Sequence, residues 1–123
     1  MSKREQEWGR LGESAAARYL EERGYVILER NLRLLRHEMD IVAEREGLIV
    51  FVEVKTRTTE LYGSGAESVT QQKQRRLIRF AELFLLRYPL GKQVRFDVIT
   101  ISVNRENGQV KKVVHFPNAF ELM

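Results

Sequence analysis

Met39-Asp40-Ile41-Val42-Ala43-Glu44 and Leu48-Ile49-Val50-Phe51-Val52-Glu53-Val54 are two β-leaning runs joined through Arg45-Glu46-Gly47, and their pairing decides the fold. Glu46-Gly47 can supply the positive φ angles of a tight turn, so the runs read as an antiparallel hairpin. A two-residue turn sets Asp40 opposite Glu53 and Glu38 opposite Lys55, and a four-residue loop gives the same pairing. Side chains two apart share a face. With an even loop Glu38, Asp40, Glu53 and Lys55 gather on one side, continued by Val42, Ile49 and Phe51, whereas an odd-length loop would split them. Met39, Ile41, Ala43, Val50, Val52 and Val54 line the other side. Both faces are largely apolar, so the hairpin needs a cover on each, which predicts an α/β/α layering.

Two amphipathic helices are available as covers. From Gln6 to Arg23 the residues Trp8, Leu11, Ala15, Ala16, Tyr19 and Leu20 recur at helical spacing, with Gly24 as the stop. In the second, capped by Ser68 or Thr70, Leu77, Ile78, Ala81, Phe84, Leu85 and Tyr88 form the stripe and Pro89 marks the end. Tyr25 to Glu29 reads as a short strand, followed by a basic connection carrying Arg30, Arg33, Arg36 and His37. Thr56 to Glu67 has no apolar period and reads as a loop. Val94–Val103 and Val110–Phe116 are two more strands, joined through Asn104 to Gly108. Ala119, Phe120 and Leu122 form a tail able to dock on the core. The order is α-β-β-β-α-β-β, a mixed sheet of about five strands with two main helices. With no repeat, low-complexity stretch or linker, residues 1–123 read as one domain.

Composition narrows the chemistry. The 123 residues contain no cysteine, which removes disulfide scaffolds, zinc fingers and thiol nucleophiles and makes the cytoplasm the expected compartment. No apolar run approaches the roughly 20 residues of a membrane span, and the polar start does not resemble a signal peptide. Lys plus Arg number 21 against 17 acids, a net charge of +4 that permits a polyanionic partner without demanding one. Of the acids only Asp40 and Asp97 are aspartates, and both fall inside apolar runs. Aspartate is a poor strand former that normally serves caps and turns, so two used only in strands need another explanation.

Two carboxylates about 5 Å apart at an effective dielectric near 20 repel by about 3 kcal/mol. One lysine does not neutralise three of them. Such a cluster either holds protons at raised pKa or binds a divalent cation, and oxygen ligands on a rigid strand pair suit magnesium or manganese. The metal polarises a phosphate and a water while a nearby lysine steadies developing charge, which describes phosphodiester hydrolysis. Basic segments at Arg30 to Arg36, Lys55 to Arg57 and Lys73 to Arg79 flank the cluster in sequence, as a phosphate-binding rim would. Arg36, Arg57, Lys73 and Arg76 are the candidate nucleic-acid contacts.

Glu38-Met39-Asp40, about a dozen residues, and then Glu53-Val54-Lys55 resemble the PD-(D/E)xK nuclease superfamily. With Gly12-Glu13, Phe51-Val52, Thr70-Gln71-Gln72-Lys73 and Arg95-Phe96-Asp97-Val98, the chain resembles the YraN-like family of bacterial proteins from about Trp8 to Phe120. Their similarity to archaeal Holliday-junction resolvases and other restriction-endonuclease-like nucleases implies metal-dependent cleavage of DNA, branched DNA included, in repair or recombination. The resemblance makes Asp40, Glu53 and the Val54 carbonyl ligands of Mg2+ or Mn2+, and Lys55 the catalytic lysine. It also brings Glu13 from the first helix and Gln71 or Gln72 from the second, and implies a homodimer. His37 stands where the family commonly has glycine, and Met39 where the superfamily has proline.

Plainer readings stand beside these. Glu53 and Lys55 alone fit a cross-strand ion pair, Glu13 a surface glutamate, and the arginines of the second helix a solvated face. His37 reads as a loop residue or phosphate contact, Asp97 with Arg95 as a structural ion pair, and His115 receives no role. The alternatives to an endonuclease are a nuclease-fold protein that binds DNA without cutting it and, more distantly, a protein-interaction adaptor.

Overall fold

A computed structural model describes residues 3–58, 69–87 and 93–120. The elements are α1 (Lys3–Glu22), β1 (Val26–Leu34), β2 (His37–Arg45), β3 (Leu48–Arg57), α2 (Gln71–Arg87), β4 (Gln93–Val103) and β5 (Val110–Phe120), in the predicted order. The five strands form one sheet ordered β1-β2-β3-β4-β5. Only β3 and β4 run parallel, joined by the crossover that contains α2. The helices cover opposite faces. Phe80, Ala81 and Phe84 of α2 pack on Val42, Ile49, Phe51, Phe96 and Val98, whereas Ala16, Ala17 and Leu20 of α1 pack on Ile41, Ala43, Val50, Val52, Ile99 and Ile101. This is the layering demanded by a hairpin that is apolar on both faces. Phe51 is the hub of the α2 side, with ring centroids 5.5–6.1 Å from Phe80, Phe84 and Phe96.

Both helices have the ends that their residues specify. After α1, Gly24 takes φ +88°, Gly24 N donates to Glu21 O and Tyr25 N to Leu20 O, satisfying carbonyls the helix leaves open. At α2 the Thr70 hydroxyl accepts the Lys73 N–H at 3.1 Å, so of the two predicted caps Thr70 is the one observed. Ser68, Tyr88, Pro89 and Leu122 lie outside the described residues, as does most of the expected loop from 56 to 67.

Several boundaries differ from expectation. The first strand is not a short piece ending at Glu29. It runs to Leu34 and pairs with β2 as far as Leu34 with His37, so Arg30 and Arg33 are strand residues and His37 opens β2. Charged residues in an edge strand carry no apolar alternation, yet their backbone still completes the ladder. Thr56 and Arg57 belong to β3, not to a loop, because β4 continues beside them to the Arg57–Ser102 pair. Ala119 and Phe120 do meet the α2-side core, as the end of a longer β5. Met39 packs with Leu34, Val42 and Phe51 on the α2 side instead of joining Ile41 and Ala43. That change of face occurs beside Asp40, where the next strand pair also parts.

Candidate functional site

The hairpin ladder between β2 and β3 is paired from Arg45–Leu48 to Ile41–Val52 and ends there. Beyond it the strands fork. In a continued ladder the Val54 N–H would meet a backbone carbonyl of β2, but here it donates to Asp40 Oδ2 at 2.8 Å. The aspartate side chain thus takes the place of a ladder acceptor, and this is how a poor strand former is accommodated between two apolar strands. A residue's N–H and C=O point to the same side of a strand, so the Val54 carbonyl faces the fork as well.

Glu53 is 5% exposed, on the last buried turn of the β3 pleat. Its Oε1 lies 3.5 Å from Lys55 Nζ and 3.7 Å from Lys73 Nζ. Lys73 therefore belongs to the cluster itself, not only to a basic rim, because the N-terminus of α2 lies over this end of β3. Gln71, by contrast, is exposed at the first position of α2, and the polar group α2 delivers to Glu53 is Lys73. Helical geometry explains the exchange, since residues two apart point to different sides of a helix.

Asp40 has the opposite surroundings. Burial and the neighbouring Glu53 push its carboxyl up to about 7, with Glu13 adding to the rise, while the Val54 N–H and Lys73 pull the other way. Among the described residues no ion pair holds it. Glu38, predicted to share the cluster, does not. It is exposed and pairs with Arg33 of β1 at 3.0 Å, because β1 continues alongside β2 past the fork and offers a cation first. The charge balance is accordingly three carboxylates, Asp40, Glu53 and Glu13, against two lysines.

Glu13 reaches this end of the sheet through a close helix–strand contact. A Cβ on Gly12 would collide with Thr56 Oγ1, so glycine is what lets α1 approach β3 there. Asn31 Nδ2 donates to Glu13 Oε2 at 2.9 Å and fixes the carboxylate. Asn31 itself has φ +51°, a left-handed bend in β1 at the level of the fork. Glu13, Asn31, Val54, Thr56, Arg57 and Trp8 line a cleft of about 750 Å³. Of the predicted nucleic-acid contacts, Arg57 borders this cleft, Arg76 is exposed on α2, and Arg36 is exposed at the β1–β2 turn, away from the carboxylates.

Among the described residues no three Asp, Glu, His or Cys side chains are grouped to hold a metal by themselves. Asp40 and Glu53 with the Val54 carbonyl form an all-oxygen partial set, which suits a magnesium- or manganese-like ion that keeps several waters. Asp40, a partly buried carboxylate facing Glu53 and Glu13 with no ion-pair partner among the described residues, fits that group.

The second aspartate is built differently. Asp97, 1% exposed on β4, accepts Arg95 Nε and Nη2 at 2.8 and 2.7 Å, the Asn118 N–H at 3.0 Å and His115 Nε2 at 2.6 Å. Burial alone would raise its carboxyl, but the hydrogen bonds from His115, Arg95 and Asn118 hold it below the usual carboxylate value. Arg95 Nη2 also reaches Tyr25 Oη at 2.8 Å. The structural ion pair expected of Arg95 and Asp97 is present, and His115, which carries no role in the sequence reading, is part of it.

Comparison with known proteins places the chain. A UPF0102 protein of Pelotomaculum thermopropionicum is 47% identical over 113 residues, spanning 91% of this chain and 93% of its own. Another, from Geobacter metallireducens, is 46% identical over 123 residues, spanning 99% of this chain and 98% of its own. Among solved structures, an XisH family protein from Nostoc punctiforme has a TM-score of 0.44 at 18% identity, covering 84% of this chain and 98% of that one. SfsA of Pyrococcus furiosus, solved in complex with Ca2+, has a TM-score of 0.40 at 14% identity, covering 93% of this chain and 65% of that one. No helix among the described residues is long and apolar enough to cross a membrane. The family model of UPF0102 matches residues 12–101, and the chain belongs to this uncharacterised protein family, the YraN family.

Proposed function

We propose that this protein is a magnesium- or manganese-dependent endonuclease that hydrolyses DNA phosphodiester bonds, centred on Asp40 and Glu53. The observation that carries the reading is the Asp40 carboxyl, fixed at the fork by the Val54 N–H at 2.8 Å beside the buried Glu53, with no ion-pair partner of its own among the described residues. A fold does not gain stability from such a carboxylate, so a ligand that neutralises it accounts for its presence. The sequence resemblance to PD-(D/E)xK nucleases supports the same conclusion independently.

In this role Asp40, Glu53 and the Val54 carbonyl hold the ion, which when bound supplies Lewis-acid polarisation of the phosphate and acidifies a water. Lys55, with Nζ 3.5 Å from Glu53, orients the attacking water and steadies charge as it develops on the phosphate. Lys73, on the same Glu53 oxygen, is placed to turn to a non-bridging phosphate oxygen when substrate enters. Glu13, fixed by Asn31, accepts a hydrogen bond from the water on the α1 side of the fork. Arg57 beside the cleft, and Arg76 and Arg36 farther out, contact the DNA backbone.

The test is incubation of purified protein with labelled four-way, flap, single-stranded and duplex DNA, with and without manganese, beside Glu53→Gln and Lys55→Ala. Metal-dependent cutting by the wild type alone supports the proposal and names the substrate. One observation favours a second reading, a nuclease-fold protein that binds DNA without cutting it. Both lysines lie within 3.7 Å of Glu53 and already neutralise that ligand. Salt-sensitive DNA affinity with no product in any metal would select it.

A further inference from the structure

The turn between β1 and β2 consists of Leu35 and Arg36, closing the Leu34–His37 pair. Leu35 has φ +57°, a left-handed conformation that is strained for leucine and that glycine adopts freely. Its side chain is nevertheless 79% exposed. A strained, solvent-facing leucine at a hairpin tip is unfavourable on both counts, and nothing in the packing of the sheet requires it. Leu35 also borders an apolar notch of about 380 Å³, lined by Leu34 and Leu83 as well, with Arg33 and Arg87 at its edges. Leu86, 78% exposed, lies next to Arg87 on the same end of α2.

Apolar surface rimmed by guanidinium groups restricts what can cover it. A two-fold contact with a second copy would bring a second patch carrying the same Arg36 and Arg87 against this one, positive surface facing positive surface. An unstacked nucleotide matches instead: its base offers an apolar face to leucine, and its phosphates offer charge to arginine. The hairpin also leads to the fork. Asp40 lies three residues along β2 from His37, so the tip stands about 13 Å from the carboxylates at roughly 3.3 Å per residue, three to five nucleotides away.

We propose that the β1–β2 hairpin is a nucleic-acid wedge: Leu35 inserts where DNA strands part, the notch takes the splayed base, and Arg36 and Arg87 hold its flanking phosphates, with Arg33 paired to Glu38 behind them. This rests on the DNA reading above and narrows it to DNA with a branch or an unpaired step.

Leu35→Gly tests it without endangering the fold, since glycine relieves the strain at φ +57°. Affinities of wild type and variant for a labelled four-way junction and a continuous duplex of equal length are measured in EDTA, so that no cutting occurs. The variant is expected to bind the junction at least tenfold more weakly and the duplex within twofold, with an equal or higher melting temperature. Arg36→Ala is expected to weaken the junction more than the duplex and to lower the junction's salt slope by about one; an equal loss on both DNAs would count against the wedge. An unchanged junction affinity in Leu35→Gly overturns the wedge, and if the wild type still cuts DNA, the nuclease reading survives. A wild type that binds neither DNA overturns both. Loss of a dimer in sedimentation, with DNA affinity per protomer unchanged, assigns the patch to a second copy and also overturns the wedge.

Discussion

Asp40 and Asp97 are the only aspartates in the chain, both in the sheet, and they have opposite environments. Asp97 accepts from Arg95, His115 and Asn118, and its carboxyl lies below the ordinary value. Asp40 accepts from Val54, faces Glu53 and Glu13, and is pushed up to about 7. Asp97 is the less exposed of the two, yet its carboxyl is the one held low, so partners make the difference. A carboxylate whose acceptor positions are filled by the protein's own donors stabilises the fold. One that faces other carboxylates works against the fold unless a ligand offsets it, which is why the proposed site is centred on Asp40.

The largest stability effect should come from the satisfied member. Asp97→Asn leaves the Arg95 guanidinium half-paired and should cost about 3 kcal/mol in urea unfolding. A loss below about 1 kcal/mol would show that Asp97 is no more a structural anchor than Asp40. The pH dependence has a definite sign: Asp97 contributes stability above the unfolded carboxyl's pKa near 4, and this is lost as acid takes the pH through its lower folded value. The Asp97→Asn variant should therefore unfold in acid with a flatter pH profile.

Gly12→Ala comes next. A methyl group at the contact with Thr56 Oγ1 forces α1 off β3, with an expected loss of about 1–3 kcal/mol and displacement of Glu13 from the fork. Thr56→Ala in the same chain should restore much of the stability, a rescue that a general helix effect would not give.

Asp40→Asn should have the reverse sign. In metal-free buffer the folded state keeps a proton on Asp40 up to about pH 7 that the unfolded chain releases near pH 4, so this group makes the fold less stable as pH rises between those values. The amide removes that penalty and retains an acceptor for Val54. The variant is expected to be about 1–2 kcal/mol more stable than wild type at pH 8 and no more stable near pH 4. Destabilisation at pH 8 would make the two aspartates alike. The smallest effect belongs to Glu38→Gln, which breaks an exposed pair with Arg33 and should change stability by less than about 1 kcal/mol. It should leave metal affinity within twofold, whereas membership of the cluster would require a larger loss.

The layering, the element order and the facing of Val42, Ile49 and Phe51 were legible in the sequence for an even loop, and the Arg45–Leu48 pair around Glu46-Gly47 is that case. The Asp40–Glu53 neighbourhood followed from the same register. Side-chain substitution for backbone was not legible. Once the Asp40 carboxylate accepts the Val54 N–H, the strands part, Met39 changes face, and Glu38 meets Arg33 in place of Lys55. Lys73 looked like a rim residue because sequence does not fix the angle at which α2 crosses β3. His115 lacked any signal at all. Its contact with Asp97 depends on how β5 pairs with β4, where the register shifts between Phe96 and Val98. The basic stretch after Glu29 was taken for a connection because edge strands carry charge without alternation.

The central claim is that Asp40 is held in an unfavourable setting because a divalent cation belongs beside it. Calorimetric titration of manganese into wild type, Asp40→Asn and Glu53→Gln at pH 8, without nucleic acid, tests it most directly. The wild type is expected to show one class of site, with an accompanying rise in melting temperature, and both variants at least tenfold weaker binding. Equal manganese affinity in all three, or none in a folded wild type, would contradict it.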